Sequence, residues 1–251
     1  MCNYKYLSFI TGIFTATLLI SNTLDTKLFS LGTLNLPFGI VWPLDLPSGI
    51  ILFPLVYIFN DVLTEVYGYA ASRKVIWTGL VSLLLMIAAY GVARVLPPAT
   101  SSEPLQEAFS KIFGHTFRIV IASITAYLIG EFCNSYVLAK IKIKMRGQGM
   151  SLRFVASTVV GQALDTTVFV VIAYLGTPGN DTRKIVGNIL LGWAFKVAWE
   201  IIALPLTLPI VNYLKKVENE DHFDINTNFN PFHLGQDDQA NNSRRIASAA
   251  P

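Results

Sequence analysis

Five carboxylates and one lysine stand inside apolar runs of this chain: Asp61, Glu65, Glu131, Asp165 and Glu200, with Lys196. A charged side chain at mid-bilayer costs roughly 2.5–3.5 kcal/mol on insertion scales, so such groups face a bundle interior and mark a substrate or ion path. One lysine cannot neutralise five acids. The others must hold protons, meet water or wait for a ligand. Asp61 and Glu65 are four apart, on one helical face with Tyr57, and like charges one turn apart read as a proton or ligand site. Glu131 with Asn134, and Gln162 with Asp165, form two further acid–amide pairs at a spacing of three. Lys196 and Glu200 can pair as an i,i+4 brace, and Trp193 lies one turn before Lys196 on the same face. Asn22 and Asp25 close the first apolar run with a polar pair one turn apart. Tyr57 and Trp193 could wall a flat ring, although aromatics on membrane helices more often pack.

Other chemistries are poorly supplied. Cys2 and Cys133 give neither a disulfide framework nor a metal spacing, and two of the three histidines, His222 and His233, fall in a polar tail. HExxH, nucleophile-elbow, P-loop and intramembrane aspartyl-protease patterns are absent, so the reading is a non-enzyme that requires no cofactor. The net charge of +3 lies in short basic clusters beside apolar runs, which argues for membrane flanks and not for nucleic acid.

The elements that must carry these groups are helices. Hydrophobic residues make up 53% of 251, charged residues 14%, and mean hydropathy is +0.51, which predicts an all-α polytopic membrane protein. Six spans are expected: 6–29, 48–69, 75–96, 116–139, 154–175 and 184–214. Pro54 should kink the second, and Pro205 and Pro209 should kink or break the sixth. Residues 30–46, with two prolines and two glycines, predict a short hairpin or re-entrant element at an interface. Residues 140–153 read as a basic loop, and 177–183 as a turn. Gly130, Gly161, Gly187 and Gly192 would let helices approach closely. Lysine and arginine at loops and helix ends divide ten against six, which places both termini in the cytoplasm. The chain divides into a transport-type membrane domain, 1–216, and a disordered polar cytoplasmic tail, 217–251.

Residues 21–215 resemble the queuosine precursor transporter family, also called the vitamin uptake transporter family, of bacterial inner-membrane proteins. The resemblance rests on SNTLDTKL, LPSGIILFPLVYIFNDVLTEVYGY followed by AASRKVIW, RIVIASITAYLIGEFCNSYVLAK, STVVGQALDTTVF and FKVAWE, in order and at family spacing. It implies six membrane helices and import of a 7-deazaguanine base, either the cyano or aminomethyl base or queuine, without an ATP-binding subunit. The alternative is the substrate-binding subunit of an ATPase-driven small-vitamin importer. With such a cargo, Glu131 or Asp165 would read the guanine-like edge and Asn134 and Gln162 would complete it. Asp61 with Glu65 would supply a second acidic contact, and Trp193 or Tyr57 would stack. Expected partners are the small-molecule base, membrane lipid and, optionally, a second copy of the chain.

Overall fold

The structure is a computed structural model that describes residues 4–36, 40–114, 117–176, 182–233 and 243–244. Six longer helices pack together in a bundle: α1 (Leu7–Leu24), α2 (Phe53–Tyr67), α3 (Tyr69–Val95), α5 (Phe117–Lys144), α6 (Met150–Tyr174) and α7 (Thr182–Glu218). Short α4 (Gln106–Phe113) lies between α3 and α5. Five of these helices, α1, α3, α5, α6 and α7, are long and apolar enough to cross a membrane on their own. Their outer faces are greasy: Val81, Leu85 and Val92 on α3, and Ile202 and Leu206 on α7, are each more than 60% exposed. Inside, by contrast, Asn60, Asp61, Glu65, Glu131 and Asn134 are fully covered. An apolar outside around a polar interior is what lipid requires of a multi-pass membrane protein.

The central helix is α2, with twelve of its fifteen residues buried against its neighbours. It is shorter than the expected 48–69 span because Gly68 breaks it, with φ 83° and ψ 168°. A side chain there would also run into the His222 ring, so only glycine fits. Pro54 does not kink α2. It sits in the first turn, where the missing amide proton has no carbonyl to serve, and a 3-10 turn, Ser48–Ile51, leads in. Four residues at about 2 Å and fifteen at about 1.5 Å give an element roughly 30 Å long. The last helix likewise continues unbroken through Pro205 and Pro209.

The irregular segment after α1 is a hairpin, in which β1 (Leu28–Leu36) pairs antiparallel with β2 (Ile40–Pro47), with a register shift between Ser30 and Thr33. The expected basic loop is mostly helix: α5 continues to Lys144 and α6 begins at Met150. Arg73 and Lys74, expected between spans, belong to the first turns of α3. Most of the turn expected at 177–183 lies outside the described residues.

One end of the bundle gathers both chain ends. Glu218, closing α7, accepts the amides of Lys5 (2.9 Å) and Tyr6 (2.7 Å) before α1 and the Tyr67 hydroxyl (2.9 Å) at the end of α2. A carboxylate at a helix N-terminus satisfies orphan donors and meets the positive pole of the dipole.

The expectation of a disordered tail fails for residues 219–233, which fold back over this end. The Asp224 carboxylate accepts the Tyr69 amide at 3.1 Å, Arg73 donates to the carbonyls of Asn228 (2.6 Å) and Asn230 (2.9 Å), and Trp77 donates to that of Pro231 (2.8 Å). The segment is polar because it pairs with buried polar groups, which composition alone cannot distinguish from disorder.

Acid should loosen this strap. Burial holds the His222 imidazole below its usual 6.5, against the pull of Asp224, so the folded state favours the neutral ring. That stability is present above pH 6.5 and is lost as pH falls below it. Burial would raise the Asp221 carboxyl, but Lys142 and Lys215 beside it prevail and hold it below 3.8, so its contribution disappears only under stronger acid. Amide hydrogen exchange across residues 219–233 should therefore speed up between pH 7.5 and 5.5. Equal protection, after correction for intrinsic exchange, would contradict this account.

Candidate functional site

The polar residues fall into two separate groups along α2. Asp61 and Glu65 share a face, but four residues at about 1.5 Å each set them roughly 6 Å apart along the axis, and each has different partners. They do not form one paired acidic site.

Glu65 belongs to a closed ionic network near the end where the termini meet. One of its oxygens, Oε1, lies 2.6 Å from Arg153 Nη2, 2.6 Å from Lys215 Nζ and 3.4 Å from Lys142 Nζ. Asp221, just after α7, bridges Lys142 and Lys215 at 2.8 Å each. Lys142 also donates to the Glu65 carbonyl at 2.6 Å, and Arg153 donates to the Gln148 carbonyl. Three cations and two carboxylates from α2, α5, α6 and α7 thus lock one end. Lys142 and Arg153 escaped the sequence reading because they lie in what looked like a surface basic loop. Their helical register turns both inward, to 2% and 0% exposure.

The second group lies at mid-bundle. Asn134 Nδ2 donates to Asp61 Oδ1 at 2.6 Å, and the buried Glu200 carboxyl acts electrostatically on the same acid. Asn60 accepts the hydroxyls of Ser72 (2.5 Å) and Ser135 (3.0 Å) and donates to the Glu131 carbonyl at 3.3 Å, tying α2, α3 and α5 together. Lys196 does not brace Glu200. It reaches across to Asp165 Oδ2 at 2.6 Å. Buried acceptor atoms of this group without a hydrogen-bond partner among the described residues include both carboxyl oxygens of Glu131, Oδ2 of Asp61, Oδ1 of Asn134 and Oε1 of Gln162.

Small residues bring α5 and α6 together here, as expected for Gly130 and Gly161. A Cβ on Gly130 would stand 2.7 Å from the Asp165 Cβ, and one on Gly161 would stand 2.8 Å from the Asn134 Cβ. Gly192 is looser, its added Cβ meeting Thr166 at 3.3 Å.

Above this group, towards the end opposite the ionic lock, lies a cavity of about 80 Å³ walled by Phe53, Phe169, Tyr127, Asp165, Lys196 and Asp25. It shares Asn22, Asp25, Leu83, Ser123 and Phe169 with an adjoining cleft of about 350 Å³ that extends to Lys111 and Gly114. Glu131 lies one helical turn from Tyr127 on the cavity wall. Asn22 receives the Ser123 hydroxyl at 3.2 Å. Trp193 is held elsewhere, donating to the Val159 carbonyl at 3.0 Å, so it clamps α6 to α7. Phe169 is the wall that sequence reasoning missed, and Asp25, seen there only beside Asn22 at a helix end, was not placed in the site. Their signal was weak, because Asp25 looked like an interfacial cap and phenylalanines are common in membrane helices.

The arrangement can bind a small polar, flat molecule, and among the described residues no cluster of three or more metal-ligating side chains occurs. No solved structure matches the chain. A curated protein of Bacillus subtilis, named "probable queuosine precursor transporter", is 30% identical over 158 residues, which are 62% of this chain and 68% of the relative. A protein of the same name from Haemophilus influenzae is 28% identical over 59% of this chain and 58% of its own length. Residues 47–210 match the profile of a family described as "putative vitamin uptake transporter". That match spans most of the helical bundle and all the acidic residues of the central group, and the chain belongs to this family of vitamin uptake transporters, as a carrier and not an enzyme.

Proposed function

We propose that this protein imports a 7-deazaguanine precursor of queuosine across the bacterial inner membrane, using six spans, the second of them α2 with its lead-in turn, with both termini cytoplasmic. The observation that carries the reading is Glu131, buried with both carboxyl oxygens unpartnered one turn from the cavity wall. A guanine-type edge offers a ring N–H and an exocyclic amine, two parallel donors that one carboxylate accepts together. Asn134 and Gln162 complete the edge, while Phe53 and Phe169 offer faces on which the base can stack. Asp165 is already committed to Lys196, which favours Glu131 over Asp165 as the reader of the base.

The cleft opens at the end away from the Glu65 network, so the conformation corresponds to one open outward and closed towards the cytoplasm. The test is calorimetry of the purified protein in detergent with the cyano base, the aminomethyl base, queuine and guanine. At least one deazaguanine is expected to bind in preference to guanine, and Glu131→Gln should weaken it by about 10- to 100-fold, the range for losing a charge-assisted contact. Lack of binding by all four would refute the reading, and an unchanged Glu131→Gln would refute the role of Glu131.

A further inference from the structure

The inner cavity holds two carboxylates and only one ammonium among its described lining residues. Asp25, Asp165 and Lys196 line it, and Lys196 is paired with Asp165 at 2.6 Å. Asp25 shares the field of that same ammonium without a direct ion pair among the described residues, and its Oδ1 is buried with no hydrogen-bond partner there. It also lies on the passage from cavity to cleft, since it walls both.

The backbone makes this corner more negative still. Asp25 caps the C-terminus of α1, its amide donating to the Ser21 carbonyl at 3.1 Å, and the last turn of α1 carries no basic residue. A helix C-terminus bears about half a negative charge and normally recruits lysine or arginine. An acid at that position breaks the local rule, and such breaks are expected at functional sites. Its placement is also fixed. A Cβ on Gly49 would collide with the Asp25 carboxylate and the Ser21 carbonyl, so the Ser48–Ile51 turn presses on the acid and holds it in the wall. Phe53 and Phe169 flank the same space, and Phe53 already lies 5.0 Å from one ammonium, that of Lys196. Aromatic faces beside a lone carboxylate suit an organic cation.

We infer that Asp25 is a specificity-determining residue that binds a protonated amine on the cargo, so that this chain selects a flat heteroaromatic base carrying an aminomethyl-type cation over its neutral cyano counterpart. The inference rests on the transport reading above and assigns the side arm to Asp25, while Glu131 takes the ring edge. It also explains the charge balance of the corner: Lys196 pairs directly with Asp165, one ammonium serves two carboxylates, and the ligand supplies the missing positive charge.

The experiment is calorimetry of the aminomethyl and cyano bases with the parent protein, Asp25→Asn and Asp25→Glu, each variant first checked for an unchanged melting profile. The parent should prefer the aminomethyl base. Asp25→Asn should lose about 10- to 100-fold for that base and keep its affinity for the cyano base, and Asp25→Glu should retain the preference. Equal losses for both bases, or none for either, would overturn the inference while leaving the transport reading standing. If the parent protein binds neither base, the transport reading fails and the inference with it. Should Asp25→Asn melt early, the retained or lost preference of Asp25→Glu and of the parent decides the matter.

Discussion

Replacing Glu65 by alanine should destabilise the bundle by about 3–5 kcal/mol, the usual cost of removing one member of a fully buried ion pair. Its carboxylate is the shared partner of Arg153, Lys215 and Lys142, and without it three cations would face Asp221 alone. Arg153 cannot escape to water, since it is fully enclosed between α5, α6 and α2. Adding Arg153→Met should recover part of the loss, because it removes an uncompensated charge and fills the space with an apolar chain of similar length. Denaturation in detergent would measure both steps. If Glu65→Ala unfolds like the parent, the network does not hold this end together, and Glu65 returns as a candidate for the transport path.

The second large effect concerns Gly161. A leucine there would drive its Cβ to 2.8 Å from the Asn134 Cβ and 3.2 Å from the Gly130 carbonyl, contacts that only a separation of α5 from α6 relieves. Overpacking of a tight interface costs typically about 1–3 kcal/mol and more where backbone must move. Function should suffer further, because the same separation pulls Asn134 and Glu131 away from Gln162 and Asp165. Binding of the preferred base is expected to disappear in Gly161→Leu and to weaken in Gly161→Ala. Gly91→Leu is the control: nothing lies within 4 Å of its added Cβ, and it should behave like the parent. Wild-type affinity in Gly161→Leu would mean that the two acid–amide pairs do not form one site.

What the sequence disclosed, and what it hid, follows from the range of the interactions. Apolar length is local, so the helices and the hairpin after the first could be read directly, as could the acid–amide pairs on α5 and α6. Partner choice is not local. The i,i+4 rule offers Glu200 to Lys196, yet Asp165 on the facing helix wins because α7 packs against α6 here, with Gly192 set beside Thr166. The same rule joined Asp61 to Glu65, whereas arginine and lysines far along the chain pull Glu65 into a different network. Arg153 and Lys142 illustrate the opposite blindness. A run of basic residues beside an apolar segment reads as a solvated flank, and only the phase of the helix reveals that two of them point inward. The docked 219–233 stretch was hidden for a related reason: its partners are backbone carbonyls and buried polar groups that leave no apolar period.

The Glu65 network also bears on how the protein is made. Its carboxylate enters the chain 150 residues before Lys215. At about 5–20 residues per second, synthesis leaves the second helix without that partner for roughly 10 to 30 s. During that interval an apolar segment carrying Asp61 and Glu65 must be held where water or the insertion machinery can shelter it, for release into lipid would expose both acids. The early helices can settle only when the last one arrives, so the bundle closes as a unit at the end of translation, and a chain truncated before α7 would be a substrate for membrane quality control.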